Sequence, residues 1–586
     1  MTVNGILNEP APFWQKSYPA GVDWQAPLKP RSLIQMMDDA VAKYGDKPFL
    51  TFMGKTYSYR EVGELSTRFA KGLKGLGVGP GVQVGLYLPN CPFYPIAFFG
   101  IIKAGARVVN YSPLDAAREL TLKIGDSETD YLVTLSLNAL YPNVAKQLGQ
   151  TRLKKVIVAD LQDALPFPKN FLFPLVKGKE IAKVPRDDRH VRFKDLLAND
   201  GQLTVHKVAD PSEEVAVLQY TGGTTGVPKA AMLTHANLTV TAQMYEAWTS
   251  GASSQLESGK ERLLLVLPLF HIYALSAAFL RALDAGWHII LHPRFELKAV
   301  LDDLVKYEVS VFPGVPTMYA AIIAAPNITE YKLNHLKFCA SGGAPLPVEV
   351  QDRFQALTGC KLLEGWGMTE TSPAGTSNPL DPAMKPRRGS CGLPLPGLKI
   401  EIVDVDDPLK LLGPNERGEI CIRGPNVMKG YWKKPEATEE AFLGGRFHSG
   451  DVGYQDEDGY IYIVDRKKDM ILSGGFNVYP RNIEEAIYEH PAVAEVTVIG
   501  IPDDYRGQSA KAFIKLKDGV APFTFDELKA FLKEKLGKHE MPAAMEIRPA
   551  LPKTVVGKLS KKELVEEEMQ KYEAGKQGAA SRAKAG

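Results

Sequence analysis

The sequence predicts an α/β protein in which doubly wound, largely parallel sheets fill a large N-terminal region and a small α+β C-terminal domain follows. Three observations predict it. From residue 82 short apolar runs alternate with amphipathic ones, the βαβ rhythm of a parallel sheet covered on both faces. The chain has 586 residues, 45% hydrophobic and 24% charged, an ordinary globular composition with enough length for several packed domains. A compositional break falls near DRKKD at 465–469 and divides the chain into 1–465, 466–570 and a tail, 571–586, rich in Ala, Gly and Lys. That tail has no apolar period and is expected to be disordered.

Taken in order, VQVGLYL reads as a strand, FYPIAFFGIIKAG as a helix, ARVVNYS as a strand, 115–126 as a helix, YLVTL as a strand, 138–149 as a helix and KKVIVAD as a strand. Ligands are expected beyond the carboxyl ends of such strands. Residues 161–207 interrupt the rhythm. Within them, 166–195 carries eight Lys/Arg against four Asp/Glu beside Phe167, Phe171, Leu172 and Phe173. Basic residues next to exposed aromatics suit an anionic membrane surface, here the inner face of the cytoplasmic membrane. A surface insertion whose aromatics fold back onto the protein is the competing reading. Residues 263–280 are apolar over the length of a membrane span, but Pro268 breaks the run and His271 sits inside it. A buried strand, loop and helix are predicted there instead. Past the break, NIEEAIYEH and FDELKAFLKEKL read as helices and VAEVTVIG and AKAFIKLK as strands.

Charge and cysteine usage exclude other classes. Seventy Lys/Arg against 68 Asp/Glu leave +2, too balanced for a nucleic-acid partner. Five scattered cysteines without a CxxC pair argue against a disulfide framework or structural zinc, and the opening MTVNGILNEPAPFW lacks a secretory pattern. A cytoplasmic setting is expected.

The sharpest local signal is YTGGTTGVPK at 220–229, directly after the strand-like VAVLQ. In this motif, opened by Tyr220, Gly222, Gly223 and Gly226 let backbone N–H groups approach an anion, Thr221, Thr224 and Thr225 add hydroxyl donors, and Lys229 adds charge. It reads as a phosphate loop. A Walker A loop needs Lys followed by Ser or Thr after the last Gly, whereas Gly226 is followed by Val-Pro-Lys-Ala.

Six further motifs follow in order: LPLFHIYAL (267–275), SGGAPLP (341–347), GWGMTE (365–370), HSGD (448–451), VDRKKDMILSGGFNVYP (464–480) and PKTVVGKLSK (552–561). With the loop they resemble the adenylate-forming superfamily of acyl-CoA synthetases, firefly luciferases and peptide-synthetase adenylation domains, over about residues 30–570. RKKDMILSGGFNVYPRNIEEA is most similar to bacterial long-chain fatty-acid:CoA ligases. The resemblance implies a large domain of α/β subdomains with a smaller β subdomain, and a mobile cap. It implies ATP and CoA as co-substrates with Mg²⁺, and formation of fatty acyl-CoA through an acyl-adenylate, releasing pyrophosphate and AMP.

It also implies residue roles. Glu370 would hold Mg²⁺ with Thr221, Thr369 would meet the α-phosphate, and the 220–229 loop would bind the phosphates. Gly342, Gly343 and Ala344 would lie along adenine, with Trp366 stacking on the purine. Asp451 would take the ribose hydroxyls beside Arg466, and Lys558 would reach the site during adenylation. His271 would line the acyl side, and Trp248 falls roughly where some long-chain members carry an acyl gate. In the family the cap swings about the residue matching Lys468, bringing the loop around Ser473, Gly474 and Gly475 to the CoA arm. A ligase for medium-chain or aryl acids, a fatty-acyl-AMP ligase and a non-catalytic acyl or nucleotide sensor remain alternatives, and a homodimer is left open.

Overall fold

The computed structural model describes residues 6, 8–221, 229–251, 254–381, 383–384, 387–473, 476–503, 506–554 and 559–585, with the backbone alone at 476–477 and 575–585. The chain divides into two compact units. One comprises Met1–Ile400, Ile422–Phe447 and Asp458–Tyr460, the other Glu401–Cys421, His448–Glu457 and Ile461–Gly586.

The larger unit is built on two sheets, of seven and nine strands among the described residues. In the seven-stranded sheet, Gln83–Leu86 pairs in parallel with both Arg107–Asn110 and Thr129–Leu135, and Arg107–Asn110 pairs in parallel with Val215–Tyr220. These are the strands the apolar runs predict. Their connecting helices include Phe93–Lys103, whose eleven residues are all buried, as a helix apolar on nearly every side must be. The amphipathic helix Tyr59–Gly75 packs on it and is opened by a capping box in which Ser58 and Glu61 exchange side-chain to backbone hydrogen bonds. A continuous core runs from Phe49 and Ile289 of the nine-stranded sheet through Phe98 and Phe99 to Val84 and Leu132 of the seven-stranded one.

Two elements differ from expectation for identifiable reasons. The helix expected over 138–149 is only Tyr141–Ala145, because Pro142 sets its first turn and Gly149 takes a positive φ of 87° a few residues on. The interruption at 161–207 contains a helix, Lys169–Lys177, and then returns to the sheet, where His190–Arg192 pairs in parallel with Lys155–Ala159.

In the nine-stranded sheet the central strands Arg262–Leu265, Val311–Gly314, Phe338–Ser341 and Leu362–Trp366 run parallel. The apolar stretch 263–280 resolves into the strand Arg262–Leu265 and, after the Pro268 loop, a π-helix, Tyr273–Leu280. No helix among the described residues is long and apolar enough to cross a membrane.

The smaller unit is built around a four-stranded and a five-stranded sheet among the described residues. Val493–Asp503 and Gly507–Leu516 form its long antiparallel pair, with the helix Pro480–Tyr488 packed on it through Ile483 and Ile487. The last helix spans Lys562–Ala585. It runs on over 571–585, where the sequence is expected to be disordered. Ala and Lys favour helical backbone without any apolar stripe, so an apolar period is no guide to this segment.

Candidate active site

In the larger unit the site is assembled at the carboxyl ends of parallel strands, where open α/β sheets bind ligands. Val215–Tyr220 and Ala230–Thr234 pair antiparallel, with Tyr220 opposite Ala230, and the Thr221 N–H donates to the Lys229 carbonyl at 2.9 Å. The two ends of the glycine- and threonine-rich loop are thereby pinned together. Residues 222–228, and with them Gly222, Gly223, Thr224, Thr225 and Gly226, lie outside the described residues. At the loop's base the Tyr220 hydroxyl donates to the Lys123 carbonyl and to the Asp126 carboxylate, both at 2.9 Å. Burial, followed by the nearby Tyr111 and Asp126, pushes this phenol well above its ordinary range, so it stays a protonated donor.

The segment 428–432 runs antiparallel to the hairpin's second strand. Met232 donates its N–H to the Gly430 carbonyl at 2.8 Å, Lys429 to Met232 at 2.9 Å, and Trp432 to Ala230 at 2.8 Å. This pairing brings Tyr431 between two residues that the motifs single out. Its hydroxyl donates to Glu370 Oε1 at 2.9 Å, and Lys229 Nζ lies 5.2 Å from its ring centroid. Burial first, and then the Glu370 charge, raises the Tyr431 phenol well above its usual range, so it remains a hydrogen-bond donor to the carboxylate. Lys229, Tyr431 and Glu370 thus form one contiguous group: a cation over an aromatic face and a carboxylate held at its edge.

Glu370 and Thr369 sit in the short turn Thr369–Thr371, which follows the strand Leu362–Trp366. The turn is clamped from behind. Buried Asn426 donates from Nδ2 to the Thr371 carbonyl at 2.6 Å and the Ala374 carbonyl at 2.8 Å, and the Met428 N–H donates to the Glu370 carbonyl at 2.7 Å. Only glycine fits at 367, where a Cβ would stand 1.4 Å from the Pro373 carbonyl oxygen. One partly exposed carboxylate with oriented oxygens suits Mg²⁺, which keeps several waters and shares its remaining positions with phosphate oxygens. No group of three or more His, Cys, Asp and Glu among the described residues forms a dedicated metal cage. An ion arriving with a nucleotide requires none.

Gly342, Gly343 and Ala344 follow the strand Phe338–Ser341, whose Ser341 pairs with Glu364 two residues before Trp366. Gly343 has a φ of 82°, which glycine alone adopts without strain. A side chain at Gly342 would press on the Tyr273 ring at 3.1 Å, and one at Gly375 would meet the Trp366 ring at 2.9 Å. The glycines therefore leave a narrow backbone shelf on the strand next to the one that ends in the indole.

His271 precedes the π-helix. Its Nδ1 accepts the Tyr273 N–H at 3.3 Å, while the Tyr273 hydroxyl donates to the Ala340 carbonyl at 3.1 Å and so ties the LPLFHIYAL segment to the glycine shelf's strand. Trp248 is 2% exposed in the helix His235–Thr249; its indole N–H donates to the Asn378 carbonyl at 3.3 Å and its ring meets Tyr18 edge-on at 5.0 Å. These are the contacts of a core tryptophan.

In the smaller unit, Phe447–Gln455 and Ile461–Arg466 pair antiparallel with Asp451 opposite Arg466. Arg466 Nε lies 2.8 Å from Asp451 Oδ1; the carboxylate is buried and the guanidinium half exposed. Lys468 lies in the turn that follows, where the Asp469 and Met470 N–H groups both donate to the Arg466 carbonyl at 2.9 and 3.1 Å. Ser473 ends the strand Ile471–Ser473, whereas Gly474, Gly475 and Lys558 lie outside the described residues.

The pattern of the chain places it among known proteins. Residues 37–432 match the model of the AMP-binding enzyme family, and 482–558 match the AMP-binding enzyme C-terminal domain. The chain belongs to the AMP-binding enzyme family. This AMP-binding enzyme is 38% identical over 571 residues to a long-chain-fatty-acid–CoA ligase of Bacillus subtilis strain 168, covering 95% of the chain and 98% of the relative. It is also 38% identical to the enzyme of the same name from Escherichia coli O157:H7, over 94% of the chain and 98% of the relative. Among solved structures, ATP-bound MatB from Rhodopseudomonas palustris matches with a TM-score of 0.79 at 27% identity, covering 91% of the chain and 98% of its own. An anthranilate CoA ligase in complex with anthranoyl-AMP matches with a TM-score of 0.80 at 25% identity, over 92% and 98%.

Two residues of the AMP-binding enzyme escape sequence reasoning. Tyr431 carries no motif signal of its own, and its partner Glu370 lies 61 residues away. Glu419 is a lone acid on the apolar strand Gly418–Arg423. It is buried and accepts the Gly450 N–H at 3.0 Å, with Lys467 Nζ and His448 Nδ1 each 3.3 Å away, so it braces the HSGD turn. Burial alone would raise this carboxyl, but His448 and Lys467 outweigh burial and hold it below its ordinary value.

Proposed function

We propose that this AMP-binding enzyme converts a long-chain fatty acid to fatty acyl-CoA in two steps. In the first, a carboxylate oxygen attacks the α-phosphorus of ATP and the bond to the bridging oxygen breaks, releasing pyrophosphate and leaving an acyl-adenylate. In the second, the CoA thiol attacks the acyl carbon, its proton passes to solvent, and AMP departs.

The observation that carries the reading is the Lys229, Tyr431 and Glu370 group beside the pinned loop. Lys229 and the loop's N–H groups would hold phosphate oxygens, and Thr369 would meet the α-phosphate, where charge develops. Tyr431 holds Glu370 in one orientation, and Glu370 with Thr221 would bind Mg²⁺ brought by the nucleotide. When bound, Mg²⁺ offsets negative charge on the phosphates. Adenine would lie along Gly342, Gly343 and Ala344 against Trp366, and Asp451 would accept the ribose hydroxyl protons with Arg466 neutralising its charge. Lys558 would supply positive charge in adenylation, and the Ser473 loop with Gly474 and Gly475 would leave room for the pantetheine arm. His271 would lie on the acyl side.

The long-chain assignment is supported by relatives of that name at 35–38% identity over nearly the whole chain. One observation favours a second reading. A feruloyl-CoA synthase of Amycolatopsis sp. is 35% identical over 87% of the chain, so an aryl acid is the leading alternative. A panel from acetate to icosanoate, with benzoate and ferulate, decides between them by AMP release with and without CoA. The long-chain reading expects kcat/KM to peak on long chains and to depend on CoA. A peak on ferulate or benzoate would replace it.

A further inference from the structure

The helix Lys169–Lys177 has no buried side chain, although its sequence is KNFLFPLVK. Phe171, Leu172, Leu175 and Val176 are 71%, 46%, 73% and 75% exposed, and Phe167 just before the helix is 85% exposed. At 3.6 residues per turn, 171, 172, 175 and 176 share one face. That face is apolar and turned to solvent, the reverse of an ordinary surface helix. The helix is also fixed in place. Phe173, on another face, packs against the large unit's core, and Lys169 Nζ donates to the Met53 carbonyl at 3.3 Å. So only part of the aromatic cluster folds back onto the protein.

Basic residues follow the apolar face along the chain. Of the eight basic residues in 166–195, Lys177 is paired with Glu180 at 2.7 Å, while Lys179, Lys183 and Arg186 stand exposed just past the helix. The segment's net charge of +4 disfavours a second copy of the same face as its cover and favours an anionic one.

We propose that the Phe167, Phe171, Leu172, Leu175 and Val176 face docks on an anionic phospholipid bilayer, with Lys179, Lys183 and Arg186 at its headgroups. An amphipathic helix of this kind buries its apolar face at the boundary between headgroups and acyl chains while its cations meet anionic lipid. Its use to the enzyme rests on the long-chain reading, since a long-chain acid partitions into the same bilayer and would be collected there.

The test is co-sedimentation of the full-length chain with fatty-acid-free phosphatidylcholine vesicles, with and without phosphatidylglycerol. The native chain is expected to bind the phosphatidylglycerol vesicles about tenfold more tightly, and to release them as salt is raised. Phe171→Ser with Leu175→Ser should lose binding to both vesicles. Lys179→Glu with Lys183→Glu should abolish that anionic preference. Both pairs should keep native activity on a soluble medium-chain acid, because none of the four side chains is buried. The salt dependence of the native chain tests the proposal without any variant. Equal vesicle binding by the variants, no preference for phosphatidylglycerol, or a lipid-free dimer that the Ser variants dissociate would overturn it, the last assigning the face to a second copy. Because no acid is present, failure here leaves the long-chain reading standing, and a short or aryl optimum in the acid panel leaves the vesicle result standing.

Discussion

At the scale of single residues, the site depends on side chains whose settings are made elsewhere in the chain. Tyr431 is the clearest case. Its hydroxyl is bonded to the Glu370 carboxylate and its ring lies under Lys229, so Tyr431→Phe keeps the ring and removes only the hydrogen bond. A hydrogen bond to a charged group contributes about 1.5–3 kcal/mol, so adenylation should fall by about tenfold or more in kcat/KM for ATP. Thioester formation from a supplied acyl-adenylate should be unchanged, and stopped-flow assays of the two half-reactions check both. Trp248 gives the opposite kind of prediction. It is buried against Tyr18 and bonded to Asn378, so Trp248→Ala should cost about 3–5 kcal/mol of stability in urea denaturation and leave chain-length preference unchanged. A shifted chain-length optimum at native stability would mark it as an acyl gate instead. A phosphate-loop reading of 220–229 was legible because glycines, threonines and a lysine in ten residues have a local chemical meaning. Tyr431 was not, because its role comes from a strand pairing that joins distant segments.

At the scale of elements, the parallel strands and their buried helices were legible wherever apolar periodicity was uninterrupted, as in 82–112. Short elements set by one proline or glycine were misjudged in length, as at Tyr141–Ala145. The last helix shows how charge does work that hydrophobicity does not reveal. Arg548 Nη2 meets Glu567 at 2.6 Å, and Lys511 reaches both Glu546 and Glu568 at 2.9 Å, joining the start of the helix Lys562–Ala585 to the strands beneath it. Burial would raise the Glu546 carboxyl, but Lys511 and Arg548 outweigh it and hold the group at about 2. A carboxyl depressed in the folded state contributes stability above its unfolded value and loses it as pH falls toward the folded one. Glu546→Gln should therefore destabilise the chain near neutral pH, by about 1 kcal/mol once solvent screening of this partly exposed cluster is allowed for. The difference should shrink at about pH 3, and denaturant midpoints at the two pH values measure it.

At the scale of the whole molecule, the candidate residues fall in two compact units: Lys229, His271, Glu370 and Tyr431 in one, the Asp451 and Arg466 pair in the other. Lys468 lies in a turn of the smaller unit, directly after the strand that ends at Arg466. If the two steps use different arrangements about this turn, Lys468→Pro, which fixes φ and removes an N–H, should spare acid-dependent exchange of pyrophosphate into ATP and slow thioester formation. Both half-reactions intact would count against Lys468 as the pivot. The central claim is that the acid's own oxygen becomes bonded to the α-phosphorus. It is tested most directly by supplying palmitate labelled with oxygen-18 in both carboxylate positions, together with ATP and CoA, and analysing the products by mass spectrometry. The account predicts one labelled oxygen in each AMP released and none in pyrophosphate; unlabelled AMP, or label in inorganic phosphate formed alongside ADP, would contradict it.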